Sequence, residues 1–348
     1  MDAETAAARS AAGRHPHHEG FDGFGVDRLR RRPGAKWARA GGDGVIAAWV
    51  ADMDFAPCPA VRDRLEDLLA VGDLGYPDWW AGTPLRPAFA ARMGELYGWE
   101  PDPRAVREVG DLVQGVQLVL HLATRPGDAV ALHTPAYPPF LHSVTAAGRR
   151  LVPIPLQLRD GRWAFDAARL DALVAEAGVR VLILVNPHNP TGRVFTPGEL
   201  EAVADVARRH DVLVVADEIH AELVHAPHRH RPFAGVSADA AARTVTLTSA
   251  SKAFNLAGLR CAVAHFGSAD LLAARDAQPS ELFGPPNLFG VHAALAAWSP
   301  AARPWQDLLR EHLRLARDQV VAGLGGLPGV RVLVPEATYL AWIDLRDV

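Results

Sequence analysis

One lysine of this sequence lies in a segment without other charges, and we expect it to act as a nucleophile. The chain has only two lysines, Lys36 and Lys252, so thirty-four of its thirty-six basic residues are arginine. Arginine stays protonated and cannot form an imine, whereas the amine of a desolvated lysine can. Lys252 lies in the uncharged string TSASKAFNLAGL. This placement predicts a chemical role for it rather than a surface role.

Further polar side chains follow predicted strands at the points where the strands end. The strand VRVLILVN runs into the turn string NPHNPTG with Asn189, DVLVVADE ends at Asp217, RTVTLTSAS ends at Ser249 and Ser251, and DAVALHTPAY ends at Tyr137. Open α/β sheets bind ligands at the carboxyl ends of their strands, so we expect these residues and the lysine to form one group.

Each of these residues has an ordinary alternative as a turn former, a helix cap or a packed aromatic. Together, however, they supply what a pyridine cofactor needs in a protein. The set contains an amine for an imine, a carboxylate for the ring nitrogen, a donor for a phenolate oxygen, an aromatic ring to stack and hydroxyls for a phosphate. We therefore predict a site for such a cofactor.

The elements that must position these residues alternate along the chain. Helical spacing of apolar residues predicts helices at 58–69 and 85–97, before the alternation begins. Helices are then predicted at 115–123, from 138, at 170–178 and at 199–210, and strands at 128–133, 151–156, 179–186, 211–218, 243–251 and 259–267. This alternation predicts an α/β fold with a largely parallel sheet and helices on both faces.

The domain organisation is predicted from shifts in pattern. The parts are a disordered N-terminus at 1–20, an arm with part of a small domain at 21–55, a large domain at 56–286 and a small α+β domain at 287–348. We expect a first strand in VIAAWVADMDF of the arm. In the last part we expect a long helical region to about Leu324 and strands in GVRVLVPE and TYLAWIDLR. Because the chain stops at Val348 directly after an apolar strand, we expect this domain to be incomplete.

The composition argues against several classes of protein. Thirty-six basic and forty acidic side chains give a net charge of −4 without a basic stripe, which argues against a nucleic-acid partner. No segment is apolar and long enough to span a bilayer, and the first twenty residues lack a signal peptide's apolar run. Cys58 and Cys261 form no CxxC pair, so we expect no disulfide framework and a cytoplasmic location.

In order and spacing, NPHNPTG, VVADEIH and TSASKAFNLAGLR resemble the aminotransferase class I/II family of fold-type I enzymes, which depend on pyridoxal 5′-phosphate (PLP). WVADMDF, GYPDWW, HTPAYPPF, the DEIH string and TYLAWIDLR are most similar to the bacterial cystathionine β-lyase and C–S lyase branch. The resemblance covers residues 21–346. It implies PLP as cofactor and a large domain with a mostly parallel seven-stranded sheet flanked by helices, plus a smaller α+β domain.

The resemblance also implies a role for each polar residue. Lys252 would form the Schiff base with PLP and move protons at the substrate Cα, and Asp217 would keep the ring nitrogen protonated. Asn189 would donate to the 3′ oxygen, and Tyr137 would stack on the ring. Side chains and the backbone N–H groups of a helix start would hold the phosphate. These phosphate-binding residues are Ser249, Ser251, Arg260, Val113, Gln114 and Gly115.

Two more residues carry implications from the family. Tyr76, in LGYPDWW, matches a tyrosine that reaches the neighbouring subunit's phosphate, which implies a homodimer with shared active sites; the alternative is an ordinary interface or core aromatic. His220 stands where many aminotransferases have a tyrosine, three residues after the ring aspartate, and the lyase branch shares this histidine. The arginine that holds the substrate α-carboxylate would lie beyond Val348.

Two other patterns argue against further sites. The histidine groups are His15, His17 and His18, and His225, His228 and His230. Neither group has a carboxylate or cysteine at a known metal-site spacing, so we expect solvated loop histidines and no metal. The string GLGGLPG at 323–329 lacks the dinucleotide fingerprint and follows a helix, which argues against a nicotinamide site.

The favoured function is that of a PLP-dependent carbon–sulfur β-lyase acting on a small amino-acid substrate. It would convert an S-substituted cysteine such as cystathionine into pyruvate, ammonia and a thiol. An aminotransferase shares the first steps and is the alternative. If the chain truly ends at Val348, an inactive PLP fold that serves as a regulator or binding protein is a third possibility.

Overall fold

The computed structural model describes residues 21, 24–42, 44–79, 81–279, 282–284 and 286–348. The segment predicted to be disordered, 1–20, and its three histidines lie outside the described residues. The helices are α1 (Val26–Arg30), α2 (Ala35–Ala38), α3 (Pro59–Val71), α4 (Leu85–Tyr97), α5 (Leu112–Ala123), α6 (Pro138–Ala146), α7 (Ala167–Ala177), α8 (Pro197–Arg209), α9 (Ala238–Ala242), α10 (Ala269–Asp276), α11 (Leu288–Ala297) and α12 (Arg303–Leu324).

The strands of the described chain fall into one large sheet and two hairpins. The strands are β1 (Val106–Val109), β2 (Ala129–Thr134), β3 (Arg150–Pro155), β4 (Gln157–Arg159), β5 (Arg162–Ala164), β6 (Val179–Val185), β7 (Leu213–Asp217), β8 (Thr244–Thr248), β9 (Ala262–Phe266), β10 (Arg331–Leu333) and β11 (Trp342–Asp344). The large sheet has the order β1-β9-β8-β7-β6-β2-β3, and β4 pairs with β5 and β10 with β11.

The large sheet is mostly parallel. Neighbours from β8 through β3 are parallel, whereas β9 is antiparallel to both β8 and β1. The prediction of a mostly parallel seven-stranded sheet flanked by helices is therefore confirmed. The strand order changes direction between β2 and β6, because β3 lies on one side of β2 and β6, β7 and β8 lie on the other. Sheets of this kind bind ligands at such a point, beyond the carboxyl ends of the strands.

Both faces of this sheet are covered, as the continuous apolar strands predict. Leu182 and Leu184 of β6 pack in one core cluster with side chains of α7 and α8. Val181 and Ile183 point to the other face and pack with side chains of α5 and α6. Since side chains of a strand alternate between the faces, both are filled with apolar groups. On β6, polar side chains that could form a site are therefore confined to the end of the strand.

Several predicted elements differ in the structure. The first strand expected within 45–55 is wrong: this segment is extended with bends and pairs with no strand. The helix predicted at 115–123 begins at Leu112, because the Asp111 carboxylate accepts a hydrogen bond from the Gln114 N–H at 2.8 Å and caps it. The long helical region is two helices, α11 and α12, separated by a short 3-10 turn at Pro300–Ala302. Strand β1 was not predicted.

Residues 335–338, which we call the 335–338 segment, cross over two loops that follow strands of the large sheet. The Glu336 and Ala337 N–H groups donate to the Gly192 carbonyl at 2.9 and 2.8 Å, and the Thr338 N–H donates to the Leu223 carbonyl at 2.8 Å. The loop after β6 and the loop after β7 are therefore joined through this segment.

The remaining predictions at this level have mixed outcomes. Residues 287–348 contain helices and a short two-stranded hairpin, as expected, but the domain boundaries at 55/56 and 286/287 stay predictions. Cys58 and Cys261 are both free and buried. Within the part of the chain that the structure describes, no helix is long and apolar enough to cross a membrane.

Candidate active site

The polar ends of β6, β7 and β8 lie side by side. Val185, the last residue of β6, is paired with Asp217, the last residue of β7, and the Asn186 N–H donates to the Asp217 carbonyl at 2.9 Å. On the other side, Asp217 is paired with Leu247 of β8. The turn that carries Lys252 follows β8 directly, so the lysine lies beside the aspartate. The strand ends are thus grouped as the sequence predicts.

Lys252 is partly buried, and its amine has one hydrogen-bond partner among the described residues. The Nζ donates to the Ala51 carbonyl oxygen at 3.1 Å. Burial lowers the pKa of the lysine below its usual range, and the negative charges of Asp52 and Asp217 oppose that shift. A lowered pKa increases the fraction of the neutral amine, which is the nucleophilic form.

Asp217 is an unusual carboxylate because it is buried without an ion-pair partner in the described chain. It is 4% exposed, and the Ile219 N–H donates to its Oδ1 at 3.1 Å. Burial raises its pKa to about 7, while the Ile219 hydrogen bond acts in the opposite direction. A protonated ring nitrogen placed against this carboxylate would supply the missing positive partner.

His220 is a second buried group whose hydrogen bonds are unfilled. It is 1% exposed, and neither ring nitrogen has a hydrogen-bond partner among the described protein atoms. Burial, together with the charge of Lys252, lowers its pKa to about 3, so the imidazole is neutral. Buried polar atoms normally find partners, and two open nitrogens beside Lys252 fit a polar ligand in this space.

The N-terminus of α5 forms one end of the group. The Asp111 carboxylate caps the helix and also pairs with Arg260 at 2.5 Å. The first-turn N–H groups, including that of Val113, have no partner within the helix and suit an anion. The Gln114 N–H is taken by the cap. The Gly115 N–H donates to the Asp111 carbonyl, and a Cβ at Gly115 would lie 2.9 Å from the Leu247 side chain. Close packing on β8 therefore explains this glycine.

The two serines of the site are placed differently. The Ser249 hydroxyl donates to the Cys261 carbonyl at 2.6 Å and accepts from the Ser251 N–H at 3.0 Å, so it shapes the turn after β8. Ser251 itself lies partly buried in that turn. Both stay candidates for phosphate binding.

The aromatic and amide candidates lie on loops that border the group. Tyr137 directly precedes α6 and is 38% exposed; burial of part of the side chain and the charges of Asp111 and Asp217 raise its pKa. Asn189 lies in the turn after β6, between the cis bonds Asn186–Pro187 and Asn189–Pro190. Tyr76 is fully exposed and is not among the residues that the described chain brings together.

The prediction that the second histidine group is solvated is wrong for two of its three residues. His225 and His230 are buried, and only His228 is exposed. His225 Nε2 lies 2.9 Å from the Thr338 carbonyl, and His230 Nε2 lies 3.2 Å from Glu218. They are structural partners of the 335–338 segment and of the loop after β7. The described residues include no group of three or more His, Cys, Asp or Glu side chains that could hold a metal ion.

Three residues of the site were not predicted from the sequence. The Tyr339 hydroxyl donates to the Ala51 carbonyl at 3.1 Å, so this oxygen has two donors, and Asn255 contacts the arm nearby. A backbone carbonyl has no residue-type signature. The strings WVADMDF and TYLAWIDLR contain Ala51 and Tyr339, but they indicated only a resemblance to the lyase branch and gave no role to either residue.

Comparison with known proteins gives consistent matches. Residues 50–348 match the family described as aminotransferase class I and II. The chain is 34% identical to the cystathionine beta-lyase PatB of Bacillus subtilis, over 86% of this chain and 77% of that protein. It is 33% identical to the cystathionine beta-lyase of Corynebacterium glutamicum, over 92% and 83% of the two chains. The solved PLP-bound C-S lyase of Staphylococcus hominis superposes with a TM-score of 0.82 at 29% identity, covering 88% of this chain and 75% of that one.

Proposed function

Because this chain belongs to the aminotransferase class I and II family and has the fold-type I architecture, we propose that it is a PLP-dependent carbon–sulfur β-lyase. The resemblance derived from the sequence motifs is confirmed by these matches. The proposed reaction cleaves the Cβ–S bond of an S-substituted cysteine, consumes one water molecule and yields pyruvate, ammonia and a thiol. The lyases among its relatives support this activity.

The observation that carries the proposal is the convergence of Lys252, Asp217 and His220 at neighbouring strand ends. An amine with a lowered pKa, a buried carboxylate without an ion pair and an imidazole with two open nitrogens, as the described residues show them, are costly together unless a ligand completes them. They fit PLP: Lys252 for its aldehyde carbon, Asp217 for its ring nitrogen, and His220 and Asn189 for its 3′ oxygen. When bound, PLP supplies a conjugated ring that accepts the electrons released at the substrate Cα.

Lys252, Asp217 and His220 would then each have a separate role in the reaction. Lys252 Nζ would take the Cα proton, which requires the neutral amine that burial favours. Asp217 would hold a proton at the ring nitrogen. His220, kept neutral by burial, can donate from one nitrogen without adding charge.

The phosphate would be held at the N-terminus of α5. We propose the Val113 N–H at the helix start, with Gly115 keeping the helix close to β8, and Ser249, Ser251 and Arg260 at the opposite turn. The Gln114 N–H, which was expected to contribute, donates to the Asp111 carboxylate instead. Tyr137, at the start of α6, would stack on the ring.

We further propose a homodimer in which Tyr76 of each chain completes the phosphate site of the other. Its full exposure in the single chain supports this proposal, because the ring is accessible to a second chain. We also propose a cytoplasmic location, supported by the two free cysteines.

Incubation with cystathionine tests the activity and separates it from amino transfer. Release of pyruvate and free thiol without added keto acid is expected. Turnover that depends on a keto-acid acceptor would instead favour an aminotransferase, which the family description also covers.

Variants of the lysine provide the control. Lys252→Ala should lower turnover by roughly 100-fold to 10,000-fold and remove the visible absorbance of bound PLP. Lys252→Arg keeps the charge but forms no imine, so it should fail equally. Persistence of the absorbance in both variants would contradict the assignment of Lys252.

A further inference from the structure

The turn that carries Lys252 contacts the N-terminal arm at two points. Besides the hydrogen bond from Lys252 to Ala51, the Met53 N–H donates to Asn255 Oδ1 at 3.0 Å, and Asn255 Nδ2 donates to the Met53 carbonyl at 3.0 Å. A side-chain amide that pairs with both backbone groups of one residue fixes that residue in two directions. Asn255 therefore sets the position of the arm relative to the turn.

The position of the arm decides where the Ala51 carbonyl lies. Met53 is buried, and on its far side Lys36 Nζ donates to the Asp52 carbonyl at 2.9 Å and pairs with Asp54 at 2.7 Å. The arm forms no strand pairing, so side chains replace the hydrogen bonds that a sheet would give it. Of these side chains, only that of Asn255 belongs to the same turn as Lys252.

The conformation of Asn255 supports a specific role. Its φ is +58°, in the left-handed region that Asn tolerates better than most residues and Gly tolerates best. Asn255 lies three residues after Lys252, and with this backbone conformation its side chain faces Met53.

We propose that Asn255 is a positioning residue for Lys252: by clamping Met53, it holds the Ala51 carbonyl at hydrogen-bonding distance from the lysine amine. The carbonyl then orients the amine whenever the amine is free, that is, not engaged in an imine. The consequence for turnover rests on the proposed function, whereas the clamp does not.

The clamp predicts a measurable change at the lysine. A carbonyl oxygen stabilises the ammonium form, so losing it lowers the pKa of Lys252. The other groups that face this amine are Asp52, Asp217, His220 and Tyr339. Asn255→Gly changes none of their charges, and glycine accepts the positive φ. A decrease on the order of one pH unit is expected, the scale of one hydrogen bond to a charged group.

The experiment is an NMR titration of the full chain without cofactor. The protein is produced with lysine that is ¹³C-labelled at Cε. Two lysines give two side-chain signals, and Lys36→Arg assigns them. The Lys252 signal should titrate at lower pH in Asn255→Gly than in the parent chain. Asp160→Gly is the matched control, because Asp160 also has a positive φ, of +49°, but lies exposed in the β4–β5 turn; it should leave the titration unchanged.

The outcomes separate the two proposals. If Asn255→Gly does not fold, Asn255→Ser, which keeps one of the two hydrogen bonds, should give a smaller decrease. An unchanged Lys252 titration in a folded variant would overturn the role of Asn255. Because no PLP is present, loss of lyase activity in the parent chain would not affect this result.

Discussion

At the scale of single residues, the buried carboxylate of Asp217 has a consequence for stability. In the unfolded chain an aspartate titrates at about 4, whereas burial raises the pKa of Asp217 to about 7 in the folded chain. Between these values the folded chain keeps a proton that the unfolded chain releases. Stability therefore falls as the pH rises from about 4 to about 7 and is not lowered further by this group above that range.

Asp217→Asn should remove this part of the pH dependence from the cofactor-free chain. The amide is nearly isosteric and cannot ionise, so the variant is expected to be more stable than the parent at pH 8, by up to about 4 kcal/mol, and similar at pH 4. Urea unfolding across this range measures the difference. Asp160→Asn, at an exposed turn, is the control. A constant difference between Asp217→Asn and the parent at all pH values would contradict the assignment.

Residue types explain what could be predicted at this scale. Lys252 and Asp217 stood out because each is an unusual residue for its surroundings, a lone lysine and an acid after an apolar strand. Asn255 and Tyr339 act through Ala51, and a carbonyl oxygen is present at every position of a chain. Their contacts depend on how the arm lies over the turn, which local sequence does not encode.

At the scale of elements, Gly192 shows how closely the loop after β6 is packed. Its φ is +68°, and a Cβ there would lie 2.5 Å from the Pro335 Cβ and 3.1 Å from the Ala337 carbonyl oxygen. The approach of the 335–338 segment leaves no room for a side chain. The turn that holds Asn189 is thus supported from outside by residues far along the sequence.

Gly192→Ala should destabilise the chain more than a glycine replacement that only strains the backbone. Gly178 ends α7 with a φ of +60° and has no atom within 4 Å of its would-be Cβ, so Gly178→Ala should cost about 1 kcal/mol. Gly192→Ala should cost about 1–3 kcal/mol beyond that, because Pro335 has to move. Chemical unfolding of both variants tests this. Equal losses would show that the 335–338 segment adjusts freely.

Element types were predicted better than element ends. The apolar runs of β6, β7 and β8 are buried on both faces, so their pattern was unambiguous. The error at α5 arose because the cap, Asp111, lies before the residues with helical spacing. The arm was mistaken for a strand because its apolar residues suit one, yet the arm joins none of the described sheets, and the Asn255 side chain bonds its backbone instead.

At the scale of the whole molecule, shared sites make a prediction about mixtures of inactive chains. In a dimer of one Lys252→Ala chain and one Tyr76→Phe chain, one site would have both its own Lys252 and the partner's Tyr76 intact. Random assortment would restore about a quarter of the native sites.

The measurement is lyase activity after the two variants are unfolded and refolded together. The control mixture is Lys252→Ala with Asp217→Asn, since both residues belong to one chain's site and no assortment restores them together. Recovery in the control, or none in the first mixture, would argue against a tyrosine shared between chains.

The crossing of the 335–338 segment also limits how this molecule can move. Its hydrogen bonds tie residues 287–348 to the loops after β6 and β7, through Gly192 and Leu223. A rigid-body rotation of residues 287–348 would either break these bonds or displace the loops after β6 and β7. The hinge of any closing motion is therefore expected outside the 335–338 segment.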